Sequence, residues 1–600
     1  MQKLNRIFQK QGFVFFVFFA LLFVMACNKN EETETESNIH NVEMFDGTVA
    51  DALSQNTSGH EEEGDYSWDQ ASETVVLLKG DSASCTGAGV IVSDSSRILI
   101  NASGNYRFSG GLNDGQIIVN TNDGGIVRLI FNGINIHNEN TAPIYVKGAG
   151  KTIVYLIENT ENFLSDGSTY IFEDPSSGEP NATLFSKDNL SIAGEGSLQI
   201  DANYNDAIMG KDGLIIRGSK INITSVDDGI RGKDYVIIKD AELDINATGD
   251  GIKSDNDEDV TKAYINIDGG TYNISSGTDA IQAKTDLLIS SGEFNITSGG
   301  GSNQILESDE TAKGLKSSVL SIIEDGTFNI NSADDAIHTN NQIVINNGNF
   351  EISSGDDGIH ADSLLGIHGG TINITNSYEG IESMNMLISG GDIKIVSNDD
   401  GLNCAGGVDN SGMGGWQPPG NSSSDFFLWI TGGSIAIYAS GDGIDVNGWI
   451  EMTGGTVIVH GPTSNGNGAM DYDSTFNISG GLLIAVGSSG MAQATSTNSS
   501  QNAVLINLSS VKQAGTLIHI QDEDGNALVT FSPSKAYQSI LYSSSSLKTG
   551  ETYEYYSGGS STGTSLDGLF SSGVYTDGSL YTSFKISSVV TRAGSSSSPH

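Results

Sequence analysis

The chain has 600 residues, 76 glycines but only 8 prolines, and a formal net charge of −46. It is too long for one compact globule, and so negative a chain repels nucleic acid and anionic headgroups, which excludes nucleic acid as a partner and favours cations. Apolar residues fall in short alternating strings such as "TINIT" and "QIVIN", and helical patterns are nearly absent, which indicates an all-β chain with many tight turns.

Residues 1–26 have the pattern of a lipoprotein signal peptide. Three basic residues precede an apolar run from Phe13 to Ala26, and Cys27 follows directly. We expect the Cys27 thiol to carry a lipid, which makes the protein an exported, membrane-anchored lipoprotein on the outer surface of a Gram-negative-type bacterium. The alternative is an uncleaved membrane anchor, for which this run is short.

Removal of the leader changes the formal charge from −46 to −49, because the leader holds three basic and no acidic residues. Residues 27–72, which follow it, are polar and acidic and predict a flexible tether. Only Cys85 and Cys404 remain after Cys27, so we expect no disulfide framework. Stability must then come from stacked repeats, with or without metal.

Residues 73–500 contain a repeat of about 22 residues. It is carried by strings such as "DDGIRGK", "DDAIHTN", "DDGIHAD" and "DDGLNCA", which we call the acidic motif. Its third place holds a small residue at positions 207, 229, 251, 280, 314, 336, 358, 380, 401, 443 and 469. This period, with Gly-rich corners, predicts a parallel β-helix of three strands per coil, in which equivalent strands pair one coil apart.

Side chains within the motif should alternate between the core and the solvent. In "GIHAD", Ile359 and Ala361 should point inward and His360 and Asp362 outward. Insertions near residues 254–261, 299–310 and 406–425 border the same face, so we expect them to wall a binding groove, although loops are tolerated at any corner.

The repeat stops near residue 501. The string "GTLIHIQDEDGNALVTF" predicts a hairpin turned by Asp524 and Gly525. Residues 501–592 therefore form a small C-terminal β domain that we expect to cap the coils, and residues 593–600 form a flexible tail.

The first two places of the motif are mostly acidic and would stack about 5 Å apart, one coil above another. Carboxylates at that spacing repel by ~1 kcal/mol in water and more at lower dielectric, and Ca²⁺ removes such repulsion with oxygen ligands. The alternative is that each Asp is a turn former that accepts backbone N–H groups. The candidate metal ligands are Asp227, Asp228, Asp250, Asp279, Asp334, Asp335, Asp356, Asp357, Glu379, Asp399, Asp400 and Asp442.

The outward column two residues past the small one runs from basic to acidic along the chain. His338, His360 and Glu382 are consecutive in it and could hold a transition metal, although such a file is more often a solvated face. Lys253 and Lys316 could pair with sugar carboxylates. Trp416, in the longest insertion, is either a sugar-stacking platform or an anchor for its loop. These six residues are the predicted ligand-binding set.

A resemblance to a known family rests on several strings that occur in a fixed order, namely "DDGIRGKD", "GDGIKSD", "DDGIHAD", "GDGIDVNG" and "GSSGMAQ". From about Gly87 to Ser500 the sequence resembles secreted bacterial carbohydrate-binding proteins with a pectate-lyase-like right-handed parallel β-helix. The resemblance implies that fold, bound Ca²⁺, and affinity for acidic plant-wall polysaccharide without an assigned reaction. Cys404 stands where Ala is common in the family, and Arg231 where Lys is.

Three functions remain open from the sequence. The leading one is surface-displayed, calcium-dependent binding of an acidic, pectin-like polysaccharide by a monomer, without catalysis. A second is a calcium-dependent polysaccharide (pectate) lyase with Arg231, Lys253 or Lys316 as the base. A third is a structural adhesin or stalk.

Overall fold

The computed structural model describes residues 47–54, 60–307, 310–405 and 425–595. The predicted signal peptide, Cys27 and Trp416 lie outside these ranges. In the described ranges the chain is nearly all strand, with one α-helix at Val49–Leu53 and one 3-10 helix at Gln70–Ser72. Neither of these helices is long and apolar enough to cross a membrane. The all-β prediction is confirmed.

The repeat region forms one large sheet in which strands pair in parallel with their equivalents one repeat later. Near its start, two antiparallel pairs also occur, Glu73–Gly80 with Ala83–Cys85 and Val90–Ser93 with Arg97–Ile100. The strands that follow the motif's small residue define the motif face. From Ile230 onward they are Ile230–Gly232, Ile252–Ser254, Ile281–Ala283, Leu315–Ser317, Ile337–Thr339, Ile359–Ile367, Ile381–Ile388, Leu402–Cys404, Ile444–Val446 and Asp471–Tyr472.

Two further files of strands complete each repeat, and several long strands contribute to two files. The second file includes Tyr235–Lys239, Tyr264–Ser276, Asp286–Ser298, Leu320–Ile323, Gln342–Ile345, Phe427–Ile430, Trp449–Met452 and Thr475–Ile478. The third includes Lys220–Ser225, Glu242–Ala247, Thr327–Ser332, Asn349–Ser354, Thr371–Asn376, Asp392–Val396, Ser434–Tyr438, Thr456–His460 and Leu482–Gly487.

The register agrees with the sequence alignment residue by residue. Ile337 pairs with Ile359, Ile359 with Ile381, and Ile381 with Leu402, all at the motif's fourth place. This match confirms the parallel stacking of the repeats, and the right-handed sense of winding stays a prediction.

Apolar side chains of successive repeats stack in the interior. Tyr272, Phe294, Phe328 and Phe350 form a file of parallel rings with centroids 4.6–4.7 Å apart. Rows of buried Ile and Leu fill the rest of one continuous core. Since each side chain is covered by its equivalents one repeat away, the core extends along the whole stack.

The last repeat is covered by the C-terminal residues. Tyr537–Ser543 pairs antiparallel with both Leu482–Gly487 and Ala503–Lys512, so the final strand edge is occupied. The predicted hairpin is present, with Ile518–Asp522 antiparallel to Ala527–Phe531. A parallel strand edge left open would invite pairing with other chains, and this cover removes it.

Part of the predicted tether lies against the sheet. Glu61 forms ion pairs with Lys239 and Arg217, and Asp65 is buried against Lys151. Residues 60–72 are therefore held by basic side chains of the outer surface. The sequence suggested flexibility because this stretch is acidic and has few apolar residues, but the same acidity gives it these partners.

Candidate functional site

The second place of the acidic motif forms a ladder of carboxylates, which we call the carboxylate ladder. In most repeats one oxygen of the carboxylate accepts the backbone N–H at the equivalent place one repeat later. Such bonds join Asp206 to Asp228, Asp228 to Asp250, Asp250 to Asp279, Asp279 to Lys313, Asp335 to Asp357, Asp357 to Glu379, and Asp400 to Asp442, at 2.5–3.3 Å. These carboxylates therefore accept backbone N–H groups, as the turn-former alternative predicts, but the donor belongs to the next repeat.

Most of the ladder is buried. Asp228, Asp250, Asp279, Asp335, Asp357 and Glu379 have almost no exposed surface, whereas Asp400 and Asp442 are partly exposed. The exposed part of the ladder is therefore confined to the C-terminal repeats. In the buried part the repulsion between carboxylates is relieved by backbone N–H groups and by basic side chains.

Lysines neutralise the N-terminal part of the ladder. The Nζ of Lys253 lies 2.7 Å from Asp250 Oδ2 and 3.5 Å from Asp228 Oδ2, and that of Lys316 lies 2.7 Å from Asp279 Oδ2. The two carboxylates raise the pKa of Lys253 above its usual value, against the opposing effect of burial. These lysines hold the ladder together as cations.

Arg231 is engaged in the same way. It pairs with Asp255 of the first insertion and lies 3.8 Å from Asp206 and 4.0 Å from Asp228. Thr311 directly follows the predicted end of the second insertion, and its hydroxyl donates to Asp279 Oδ1 at 2.8 Å. Both of these insertions reach the motif face, and most of the third, residues 406–424, lies outside the described residues.

The prediction that His338 and His360 point into solvent is wrong. They are 3% and 1% exposed, and their Nδ1 atoms lie 2.8 Å from Asp335 Oδ2 and 3.0 Å from Asp357 Oδ2. The alternation itself holds, since Ile359 and Ala361 lie in the core, but the rings of His338 and His360 are covered because each packs against the ladder carboxylate three residues earlier. Glu382 is also buried, with Oε2 3.2 Å from His360 Nδ1.

Sequence reasoning missed Lys313. It occupies the ladder position in a repeat without a carboxylate, is 4% exposed, and contacts Asp334 Oδ1 at 2.8 Å and Asp335 Oδ2 at 2.6 Å. The signal was available, because "AKGLKSS" aligns with "DDGIHAD" and places a lysine where its neighbours have acids.

The C-terminal repeats hold an acidic cluster formed by Asp400, Asp442 and Asp445. One oxygen of each lies within 4.8 Å of the others, and all three residues are partly exposed. Burial and neighbouring carboxylates raise their pKa values to about 8, about 6 and about 7. No basic side chain of the described residues pairs with them, so the excess negative charge is concentrated here.

Sequence reasoning assigned Asp445 to the outward column and left it out of the metal ligands. The structure brings it to Asp400 and Asp442 because the motif strands stack Asn403, Asp445 and Asp471 in register. Among the first-place acids, Asp227 joins Asp206 and Asp228 in a second oxygen group. Asp334, Asp335 and Asp356 form a third group, which Lys313 already contacts. Asp399 is partly exposed beside Asp400.

The raised pKa values of the acidic cluster predict an unusual pH dependence. Between about pH 4 and 8 the metal-free folded protein retains protons that the unfolded chain, with Asp pKa values near 3.8, has released. Stability without metal should therefore fall as the pH rises from 5 to 8, by on the order of 5–8 kcal/mol. Urea unfolding in EDTA at several pH values measures it.

The variant Asp445→Asn should show a flatter pH profile, since one of the three titrating groups is gone. A wild-type stability that rises from pH 5 to pH 8 in EDTA would contradict this interpretation of the cluster.

Comparison with known proteins identifies the class. The family model described as carbohydrate-binding domain-containing protein matches residues 94–358, 341–418 and 357–579, and the chain belongs to this family. A carbohydrate-binding domain-containing protein of Acetivibrio thermocellus is 39% identical over 135 residues, which is 22% of this chain. The match spans 47% of that relative, so about half of its length is unmatched.

A solved structure, described as a polysaccharide lyase-like protein from C. thermocellum in a gadolinium derivative, is also similar. It is 28% identical, and the alignment covers 49% of this chain and 96% of that one, with a TM-score of 0.35. At that score the likeness carries no structural argument.

Proposed function

We propose that the protein binds acidic, pectin-like polysaccharide at the cell surface through calcium held on the motif face of a right-handed parallel β-helix, without catalysing a reaction. The observation that carries this proposal is the acidic cluster of Asp400, Asp442 and Asp445, which is partly exposed and has no basic partner among the described residues, in a chain that belongs to a carbohydrate-binding family.

The cluster fits calcium by its chemistry. All three side chains offer oxygen, the ligand atom that Ca²⁺ prefers, and the raised pKa values indicate that a cation is favourable there. Bound calcium would supply positive charge that sugar carboxylates can approach. Without it, a chain with a net charge of −46 repels a polyuronate.

The basic side chains in the N-terminal part of the motif face favour binding over lyase chemistry. A base that abstracts a proton must be unprotonated, yet Arg231, Lys253 and Lys316 each pair with a carboxylate. The pKa values of Arg231 and Lys253 are raised by these partners. A rise in ultraviolet absorbance from an unsaturated uronate product would instead support the lyase.

The remaining parts of the proposal concern placement. Attachment through a lipid on Cys27 would display the coils outside the cell, and a monomer suffices because the acidic cluster lies within one chain. Calcium that only stiffened a stalk would stabilise the protein without any glycan retention.

Binding to immobilised polygalacturonate with and without calcium tests the function. We expect retention in millimolar Ca²⁺ and loss of at least about tenfold in affinity in excess EDTA, since the bridging charge is removed. A neutral polysaccharide of similar length is the control and should be retained far less. Equal retention of polygalacturonate in EDTA would refute the calcium mechanism.

A further inference from the structure

The two stacked histidines lie in a buried cluster apart from the acidic cluster. The rings of His338 and His360 have centroids 4.9 Å apart, one repeat above another. Around His360 Nδ1, Asp357 Oδ2 lies at 3.0 Å and Glu382 Oε2 at 3.2 Å. One ligand-type atom of each of these three residues lies within 4.8 Å of the others.

These separations suit a small cation. Bonds of about 2.0–2.2 Å in tetrahedral geometry place ligand atoms roughly 3.3–3.6 Å apart, only slightly more than the two distances to His360 Nδ1. A modest outward movement of the two carboxylates would open the required space.

The carboxylate of Asp357 is held in place by the backbone. Its Oδ1 accepts the N–H of Glu379 at 3.1 Å, which leaves Oδ2 directed at His360. On the other side of the ring, Asp362 Oδ1 lies 3.3 Å from His360 Nε2, which has no hydrogen-bond partner among the described residues. A histidine that binds metal through one nitrogen commonly directs the other at a carboxylate, and Asp362 is close enough to take that place after a small rotation.

The cluster carries more acid than base. Glu379 and Glu382 are buried beside Asp357, and His360 is the basic group among them. A divalent cation would balance the charge of these carboxylates.

An unsatisfied amide oxygen lies next to the cluster. Asn403 is buried, is in register with Glu382 on the neighbouring strand, and donates through Nδ2 to Glu379 Oε2. Its Oδ1 has no hydrogen-bond partner among the described residues. A buried amide oxygen without a donor is costly and is explained by a cation or an ordered water at this place.

We propose that Asp357, His360 and Glu382 form a site for a first-row divalent transition cation, with Zn²⁺ as the ion that fits best, separate from the calcium cluster. The imidazole nitrogen decides the class of ion, because Ca²⁺ takes oxygen ligands whereas Zn²⁺ binds imidazole and carboxylate together. The site joins two neighbouring repeats of the motif face, since Asp357 and His360 belong to one repeat and Glu382 to the next.

Titration of the metal-stripped, full-length protein with Zn²⁺ tests the site, in millimolar Ca²⁺ so that the acidic cluster is occupied. We expect one equivalent to bind with micromolar or tighter affinity, and Co²⁺ to give the visible absorption bands of a nitrogen- and oxygen-ligated ion. The variant His360→Gln should weaken Zn²⁺ binding at least about a hundredfold, and Glu382→Gln at least about tenfold.

The matched control is His368→Gln, which changes the same residue type at a histidine that contacts Ser389 in the same sheet. It should leave Zn²⁺ affinity within about twofold, as should Asp445→Asn. Circular dichroism and thermal melting identify variants that fail to fold. If His360→Gln fails to fold, Glu382→Gln still tests the site. Absence of stoichiometric binding to the wild type, or equal losses in His360→Gln and His368→Gln, would overturn the proposal and leave an ion-pair network only.

Discussion

Replacing Asp442 and Asp445 together by asparagine should abolish calcium-dependent retention on polygalacturonate. The pair supplies two of the three carboxylates of the acidic cluster, and asparagine keeps the shape and one oxygen but removes the charge. Calcium affinity varies over orders of magnitude with the number of charged ligands, so we expect it to fall roughly a hundredfold or more. Calorimetric titration with Ca²⁺ and retention at a fixed calcium concentration measure both steps.

The double variant should still fold, because an asparagine at 442 can accept the N–H of Gly468 as the aspartate does. The control is Asp244→Asn with Asp268→Asn, which makes the same charge change at exposed positions of other strands. If the control loses retention equally, general charge rather than the cluster governs binding. Unchanged retention in Asp442→Asn with Asp445→Asn would exclude the cluster as the calcium site.

Replacing Lys313 by methionine should destabilise the protein by about 3 kcal/mol at neutral pH. The change leaves Asp334 and Asp335 without their shared cation, and removal of one partner from a buried ion pair costs about 3–5 kcal/mol. The lower end applies because His338 still contacts Asp335. Urea unfolding monitored by circular dichroism gives the difference.

The pH dependence of this stability difference separates the loss of the Lys313 charge from the loss of its packing contacts. Lys313 holds the pKa of Asp335 below its usual value, so its contribution is present at neutral pH and is lost only as strongly acidic pH protonates that carboxylate. The difference between wild type and Lys313→Met should shrink there. The control Lys262→Met removes a more exposed pair with Asp234 and should cost less than about 1 kcal/mol. Equal losses of stability in Lys313→Met and Lys262→Met would contradict the stabilising role of the buried Lys313 ion pairs.

The repeat and its register could be predicted from the sequence because they depend on spacing alone. Gly358 and Gly380 stand 22 residues apart, and stacking equivalents fixes which strands pair. The added Cβ of an alanine at 380 would lie 2.3 Å from the carbonyl oxygen of Gly401, which explains why the third place is small. Local steric contacts and the repeat period therefore determine the fold.

The arrangement of the site could be predicted only in part. The sequence shows that Asp357 and His360 recur with their neighbours, but not that the ring turns onto the carboxylate three residues earlier instead of into solvent. That choice depends on which oxygen the next repeat's N–H takes, a contact set by the stacking distance. Asp445 was likewise assigned to the outward column, although it reaches Asp400 across one repeat.

The direction of the carboxylate ladder bears on how the molecule assembles. Each rung takes its donor from the repeat that follows in the chain, as Asp228 does from Asp250. A repeat whose successor has not yet docked therefore retains a buried acceptor without a donor, which disfavours stopping there. A repeat that lacks its predecessor likewise leaves a buried N–H group without an acceptor. Neighbouring repeats therefore complete one another, and loss of one repeat from the middle of the stack would leave unsatisfied polar groups on both of its neighbours.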